Sequence, residues 1–111
     1  MLTQKDYCDY DTCVALNELG FPIEWFEDET WHENNTNILL YEAQKWLREE
    51  KNMDVNAFYD NMDAVWRFYI VEIDYPDLSG THAYKDAFMS YEEALLEGIK
   101  EAIKLLKEER K

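Results

Sequence analysis

The stretch AVWRFYIVEIDY (residues 64–75) decides the fold, because it is the strongest strand pattern in the chain. Successive side chains of a strand point to opposite faces of the sheet. The two predicted faces are Val65, Tyr69, Val71 and Ile73 on one side, and Trp66, Phe68 and Ile70 on the other. A strand that is apolar on both faces is typical of a central strand or of a sheet covered on both sides.

The flanking segments predict that this strand is the middle of a three-strand antiparallel meander. Before it, MDVNAFYD (53–60) alternates as a strand does. One side of that strand would carry Val55, Ala57 and Tyr59. After it, PDLSG (76–80) has the composition of a turn. THAYKDAFM (81–89) would then return antiparallel.

Two segments in the first half predict helices. TCVALNEL (12–19) would begin at Asp11, whose carboxylate can accept backbone N–H bonds, and would end at Gly20, which adopts the left-handed conformation readily. ILLYEAQKWLREEK (38–51) would begin at Asn37. Its buried stripe would consist of Leu39, Leu40, Ala43, Trp46 and Leu47.

The third helix has the clearest start. In SYEE (90–93), Ser90 would cap the helix and Glu93 would reach back to the Ser90 N–H, forming a capping box. The predicted apolar face consists of Ala94, Leu95, Gly98, Ala102, Leu105 and Leu106. Glycine inside a helix costs about 1 kcal/mol relative to alanine. Gly98 on this face therefore predicts a close approach of the helix to the sheet.

The remaining N-terminal segment predicts a hairpin. FPIEWFED (21–28) has the pattern of a strand, and ETWHE (29–33) would return beside it, with Asp28 near the turn. The full order is helix, strand pair, helix, three-strand meander and helix, or α-ββ-α-βββ-α. We expect residues 1–111 to form one α+β domain, an antiparallel sheet with three helices packed mainly on one face.

The charge limits the classes of partner. The 25 Asp and Glu residues outnumber the 11 Lys and Arg residues, giving a net charge of −14. Direct nucleic acid binding and anionic membranes are disfavoured, because phosphate contacts need a basic face. The excess lies in residues 1–37 and 52–90. No run reaches the roughly 18 apolar residues of a membrane span, and no apolar signal segment is present, so we expect a cytoplasmic location.

Both cysteines lie in YCDYDTC (7–13), with the spacing C-x4-C. Zinc sites prefer C-x2-4-C together with a second pair of ligands. The histidines, His32 and His82, are distant in sequence and are not paired with each other. We therefore expect no metal, no cofactor and no disulfide, but a helix start with Cys13 buried and Cys8 partly exposed.

No motif predicts catalysis. The chain has no glycine-rich phosphate loop and no recognisable Ser/His/Asp or Cys/His signature. Glu72 and Asp74 lie on the apolar strand, where a carboxyl can have a raised pKa, but a strand end that is turning polar explains them equally well. We expect that the chain is not an enzyme.

The 17 aromatic residues are the more informative feature. Many fall in or beside the predicted strands. If the helices cover one sheet face, the other face is left with aromatics that this chain does not cover. Aromatics are enriched at protein interfaces, so we expect that face to bind a partner protein or a second copy. The candidate interface residues are Trp25, Trp31, Trp66, Phe68 and Ile70.

Four segments occur in a familiar order: CVALNELGFP, YEAQKWLREEKNMDV, WRFYIVEI and SYEEALLEGIKEAIKLL. They resemble a group of small uncharacterised proteins encoded by anaerobic gut bacteria and their phages. The resemblance covers most of residues 13–106, and FEDETWHENNTN (26–37) fits it least. Its motifs are structural, so no functional residue carries over. What it implies is a mobile-element context and a small accessory protein.

The leading hypothesis is an acidic accessory protein that acts by protein binding. One alternative is a nucleic-acid mimic, whose carboxylates would stand where a basic DNA-binding host protein expects phosphates. Another is a small enzyme or ligand-binding domain, which would need an apolar pocket with converging polar groups.

Overall fold

The structure, a computed structural model, describes residues 6–22, 38–73 and 80–109. The elements in chain order are α1 (Tyr10–Glu18), α2 (Leu40–Lys51), β1 (Met53–Asp60), β2 (Val65–Glu72), β3 (Thr81–Ala83) and α3 (Tyr91–Glu109). The α+β class and the three-strand antiparallel meander are confirmed. The order of the described elements is α-α-βββ-α. The predicted hairpin over 21–33 lies outside the described residues, apart from Phe21 and Pro22, which belong to no strand.

The sheet has the order β1-β2-β3, with β2 in the centre. β1 has the predicted bounds and pairs with β2 along its whole length. β3 is only three residues long, because the chain then leaves the ladder and rejoins it at a single bridge between Trp66 and Phe88. Residues 84–87 therefore bulge away from β2. The Arg67 guanidinium donates a hydrogen bond to the Lys85 carbonyl and so holds this bulge against the sheet.

All three helices lie on one side of the sheet. α3 packs across β1 and β2, α2 packs on β1, and α1 packs against α3. The core between these layers is apolar and fully closed at its centre. Its largest fully buried side chains include Phe68, Leu16, Leu47, Met53, Ile70, Leu95 and Ile99.

Gly98 is the point of closest approach between α3 and the sheet. A Cβ atom at this position would lie 2.7 Å from Val55 Cγ1 and 3.1 Å from the Phe68 ring. Both contacts are shorter than ordinary van der Waals separations, so only glycine fits without a shift of the neighbours. The predicted close approach is confirmed.

The caps at the starts of α3 and α2 differ from the predicted caps in some of their hydrogen bonds. Ser90 Oγ accepts the Glu93 N–H, as predicted, but the Glu93 carboxylate accepts the Met89 N–H and not that of Ser90. α2 begins after Leu39, whose N–H donates to the Glu42 carboxylate. The predicted cap Asn37 lies outside the described residues.

The predicted stripes were close but incomplete. α2 buries Leu40, Ala43 and Leu47, while the other two predicted members of its stripe, Leu39 and Trp46, are only half-buried. On α3, Ile99 and Ile103 are buried and had not been predicted, whereas Leu105 is half-buried.

α1 begins two residues earlier than predicted. Asp9 is the cap: its backbone is extended, and its carboxylate accepts the Thr12 N–H at 2.9 Å. Asp11 is instead an exposed first-turn residue. At the other end Gly20, with a φ of 109°, ends the helix as predicted.

The position of the Asp9 cap explains why both cysteines are buried. Cys8 precedes the cap and Cys13 is the fourth helical residue, which are the two positions of a hydrophobic staple. The two cysteines form no disulfide, and both are buried. The predicted burial of Cys13 is confirmed, and the expected partial exposure of Cys8 is wrong because the staple encloses both side chains. None of the described helices is long and apolar enough to cross a membrane.

Candidate interaction surface

Of the three predicted interface residues that the structure describes, only Trp66 reaches the surface. Phe68 and Ile70 are buried beneath α3, so the expectation that their face of the sheet is open is wrong. Trp66, on the same face, is half-buried at the end of the strand. Trp25 and Trp31 lie outside the described residues.

The sheet face without helices is the opposite one, and half of its side chains are charged or amide groups. Its β1 residues are Asp54, Asn56, Phe58 and Asp60, and its β2 residues are Val65, Arg67, Tyr69 and Val71. The rings of Phe58 and Tyr69 are in contact, with centroids 5.8 Å apart. Arg67 is the signal that sequence reasoning missed, because a charged residue at the middle of β2 marks the face that meets water.

A different apolar surface lies where β1 ends and where α2 and α3 begin. We call it the aromatic end and define it by Tyr41, Tyr59, Met62, Trp66, Met89 and Tyr91. Tyr59 is paired with Trp66 across the strands, with ring centroids 5.3 Å apart, and Trp66 meets Tyr91 at 5.6 Å. Both contacts are edge-to-face, the favoured geometry of aromatic pairs. The three rings thus form a continuous row from the sheet to α3.

Beside this row is a small hollow between the first turns of α2 and α3. It measures about 130 Å³ and its lining includes Leu40, Tyr41, Tyr91, Leu95, Asp6 and Glu92. The walls are aliphatic and aromatic, and the two carboxylates are part of the lining. The hollow is therefore suited to one apolar side chain of a partner and not to a drug-sized ligand, for which pockets are typically about 300–1,000 Å³.

Two methionines of the aromatic end are almost fully exposed. Met62 is 92% exposed and Met89 is 86% exposed. Met62 lies in the β1–β2 turn, and Met89 follows Phe88, which is bonded to Trp66 through the backbone. Methionine is flexible and polarisable, and proteins use it at surfaces that adapt to a partner.

The turn that carries Met62 is held by charged groups. The Asp60 carboxylate accepts the Met62 N–H at 3.0 Å and pairs with Arg67 at 2.9 Å. Arg67 also pairs with Asp63 at 2.6 Å. The hydrogen bond from Arg67 holds the pKa of Asp60 below its usual value. The turn is therefore ordered beside the rings of the aromatic end.

The charge around the aromatic end is negative. The described carboxylates at its borders are Asp6, Glu42, Asp60, Asp63, Glu92 and Glu93. Arg67 is engaged by two of them. The first turns of α2 and α3 add partial positive charge, equivalent to about half an elementary charge each. This offsets only part of the negative charge.

A second, larger groove of about 320 Å³ lies between α1 and α3, and its lining includes Asp11, Thr12, Ala15, Lys100 and Ile103. Lys100 is already paired with Asp9 at 2.9 Å and with Glu97 at 3.4 Å. Burial raises the pKa of Asp9, but hydrogen bonds from Thr12 and Lys100 outweigh it, so the pKa lies below its usual value. The one cation in this lining therefore serves the fold of the α1 cap.

Three further titratable groups lie outside the hollow and the groove. At the opposite end of the sheet, His82 Nε2 lies 2.8 Å from the Glu72 carboxylate. Burial, with nearby acids, raises the pKa of Tyr84. A hydrogen bond with Cys13 and burial raise the pKa of the Cys8 thiol. Within residues 6–22, 38–73 and 80–109, no three His, Cys, Asp or Glu side chains are grouped as metal ligands.

Comparison with protein-family models, with curated proteins and with solved structures finds no match for this chain.

Proposed function

We propose that this chain is a small acidic accessory protein that acts by binding another protein through its aromatic end. One observation carries the proposal. Seven large apolar side chains in the described part of the chain are strongly exposed, and five of them, Tyr41, Tyr59, Met62, Met89 and Tyr91, belong to the aromatic end. The mobile-element context is part of the same proposal and rests on the resemblance alone.

The composition of the aromatic end supports protein binding over other uses of an exposed surface. Aromatic residues and methionine are enriched at protein interfaces, and tyrosine and tryptophan dominate the residues whose truncation weakens binding most. Trp66 in the centre of the row is half-buried by Tyr59 and Tyr91, so it is already oriented before a partner arrives. A preordered anchor loses less conformational freedom on binding.

The test is affinity capture from a nuclease-treated lysate of the source cells, read by mass spectrometry. The first bait carries Tyr59→Ser with Tyr91→Ser, two side chains that are 47% and 39% exposed. The control bait carries Ile73→Ser with Phe58→Ser, whose exposed fractions are the same 47% and 39% but which lie outside the aromatic end. Urea unfolding of both variants shows whether each is still folded.

The expected result is a partner that the wild-type and control baits retain and the aromatic-end bait loses. Equal retention by all three baits would contradict the proposal. A DNA-binding enzyme that all three retain at low salt and lose at high salt would support the nucleic-acid mimic instead, because exposed charge pairs are screened by salt.

A further inference from the structure

We infer that the surface bound by the aromatic end is a cationic segment of another protein, with one apolar side chain flanked by lysine or arginine. This inference rests on the proposed function and identifies the kind of partner. It is carried by the juxtaposition of the hollow between α2 and α3 with the carboxylates at its rim.

The hollow specifies the apolar part of the partner. Its volume of about 130 Å³ and its walls, which include Leu40 and Leu95, suit one aliphatic side chain. The exposed Tyr41 and Tyr91 rings also line it. Such rings can pack on the aliphatic stem of a lysine or arginine and attract its charged head through the ring face.

The rim specifies the charge of the partner. Asp6 and Glu92 are part of the hollow's lining, and Glu93 lies next to Glu92 in the first turn of α3. Arg67 is held by Asp60 and Asp63. Glu92 and Glu93 therefore present negative charge to an incoming cation, which speeds encounter and disfavours acidic partners.

The same charges argue against a second copy as the occupant. A two-fold symmetric contact places the same patch of both copies face to face. Glu92 and Glu93 of one copy would then approach those of the other, with Arg67 already engaged. Like charges brought together across an interface cost several kcal/mol. The carboxylates that would repel a second copy attract a cationic partner.

Three synthetic peptides of about 15 residues test the inference, because an amphipathic helix of this length can form on binding. The first places leucine and lysine at helical spacing, the second replaces its lysines by glutamate, and the third replaces its leucines by serine. Binding is measured by titration calorimetry and by the NMR shift of the Trp66 indole N–H. We expect the first peptide alone to bind and to shift that signal.

Two charge variants with the same net charge separate local from long-range attraction. Glu92→Gln with Glu93→Gln removes two carboxylates at the hollow, and Glu49→Gln with Glu50→Gln removes two exposed carboxylates near the other end of α2. We expect the first pair to weaken binding about three- to tenfold and the second less than about twofold. Tyr59→Ser with Tyr91→Ser is expected to weaken it more than about tenfold.

Equal binding of the glutamate peptide, equal weakening by the two charge variants, or concentration-dependent dimerisation that Tyr91→Ser abolishes would each overturn the inference. If the peptides fail while lysate capture still depends on Tyr59 and Tyr91, the inference fails and the proposed function stands. If capture is also independent of these rings, both fail.

Discussion

Two cross-strand pairs lie four residues apart on the same face of β1 and β2, and they have opposite surroundings. Val55 and Ile70 are fully buried beneath α3. Tyr59 and Trp66 lie beside the first residue of the same helix and reach water. The strands, the face and the covering helix are common to both pairs. The part of α3 beside each pair differs: Gly98 lies against Val55, and Tyr91, the first residue of the helix, lies against Trp66.

The side chains that α3 presents at these two places differ in size. At Gly98 the helix has no Cβ, so it comes into contact with Val55 and Phe68. At its start the helix instead presents Tyr91, whose ring meets Trp66 edge-on. The part of α3 around Gly98 therefore contributes to stability, and the start of the helix leaves aromatic rings available for binding.

The largest expected effect is at the core. Phe68→Ala should lower the free energy of unfolding by about 3–5 kcal/mol, because a buried phenylalanine leaves a cavity. Phe58→Ala, on the open face of the same sheet, should cost less than about 1 kcal/mol. The two side chains are 1% and 39% exposed. Urea unfolding measures both, and equal losses would contradict the assignment of the covered face.

Gly98→Ala tests the close approach itself. The new Cβ would overlap Val55 Cγ1, and valine is too stiff to move aside easily. Overpacking costs about 1–3 kcal/mol, while alanine gains about 1 kcal/mol of helix propensity, so we expect a net loss of up to about 2 kcal/mol. In a Val55→Ala background the loss should shrink, which a double-mutant cycle measures. A stabilising Gly98→Ala would show that the helix lies further from the sheet.

At the aromatic end the expected effect on stability is smaller. Tyr91→Ser removes one edge-to-face contact with Trp66 and should cost about 1 kcal/mol. The NMR signal of the Trp66 indole should move, since the ring current of Tyr91 is lost. If the loss instead matched that of Phe68→Ala, the aromatic end would be part of the core.

The smallest effect concerns the turn beside the aromatic end. Arg67 lowers the pKa of Asp60 in the folded protein. The stabilisation is therefore present above the unfolded pKa, near 4, and is lost as the pH falls through the lower folded value. Asp60→Asn should be slightly less stable than the wild type at pH 7, and the difference should disappear in acid. Asp54→Asn, on the same strand, controls for the change in net charge, and a difference that persists in acid would contradict the ion pair.

Local rules predicted the elements but not which face of β2 is covered. The bounds of β1, the cap at Ser90 and the stop at Gly20 depend on neighbouring residues, and sequence shows those. The covered face depends on where α3 lies, which no local pattern reports when both faces of β2 are apolar. Arg67 in the middle of β2 was the available signal, because a charge is rarely placed toward an apolar core.

The predictions of where α1 begins and of how long β3 is were wrong for other reasons. Asp9 and Asp11 can both cap a helix, and the cap goes to the one with extended backbone. β3 is short because residues 84–87 leave the ladder, with Arg67 bonded to the Lys85 carbonyl, a long-range contact with no local signature. The aromatic end was partly foreseen through Trp66. Its other members come from three separate stretches, at 41, 59–62 and 89–91, that only the fold brings together.

The hydrophobic staple of α1 has a practical consequence. Cys8 and Cys13 are buried thiols in mutual contact, and alkylating reagents react with exposed thiolates. Their labelling must wait until the first turn of α1 opens. The rate of labelling, divided by the rate for an unprotected thiol, then gives the fraction of molecules in which that turn is open. The chain thus carries its own kinetic reporter of local unfolding, two residues along the chain from Asp6 in the lining of the hollow.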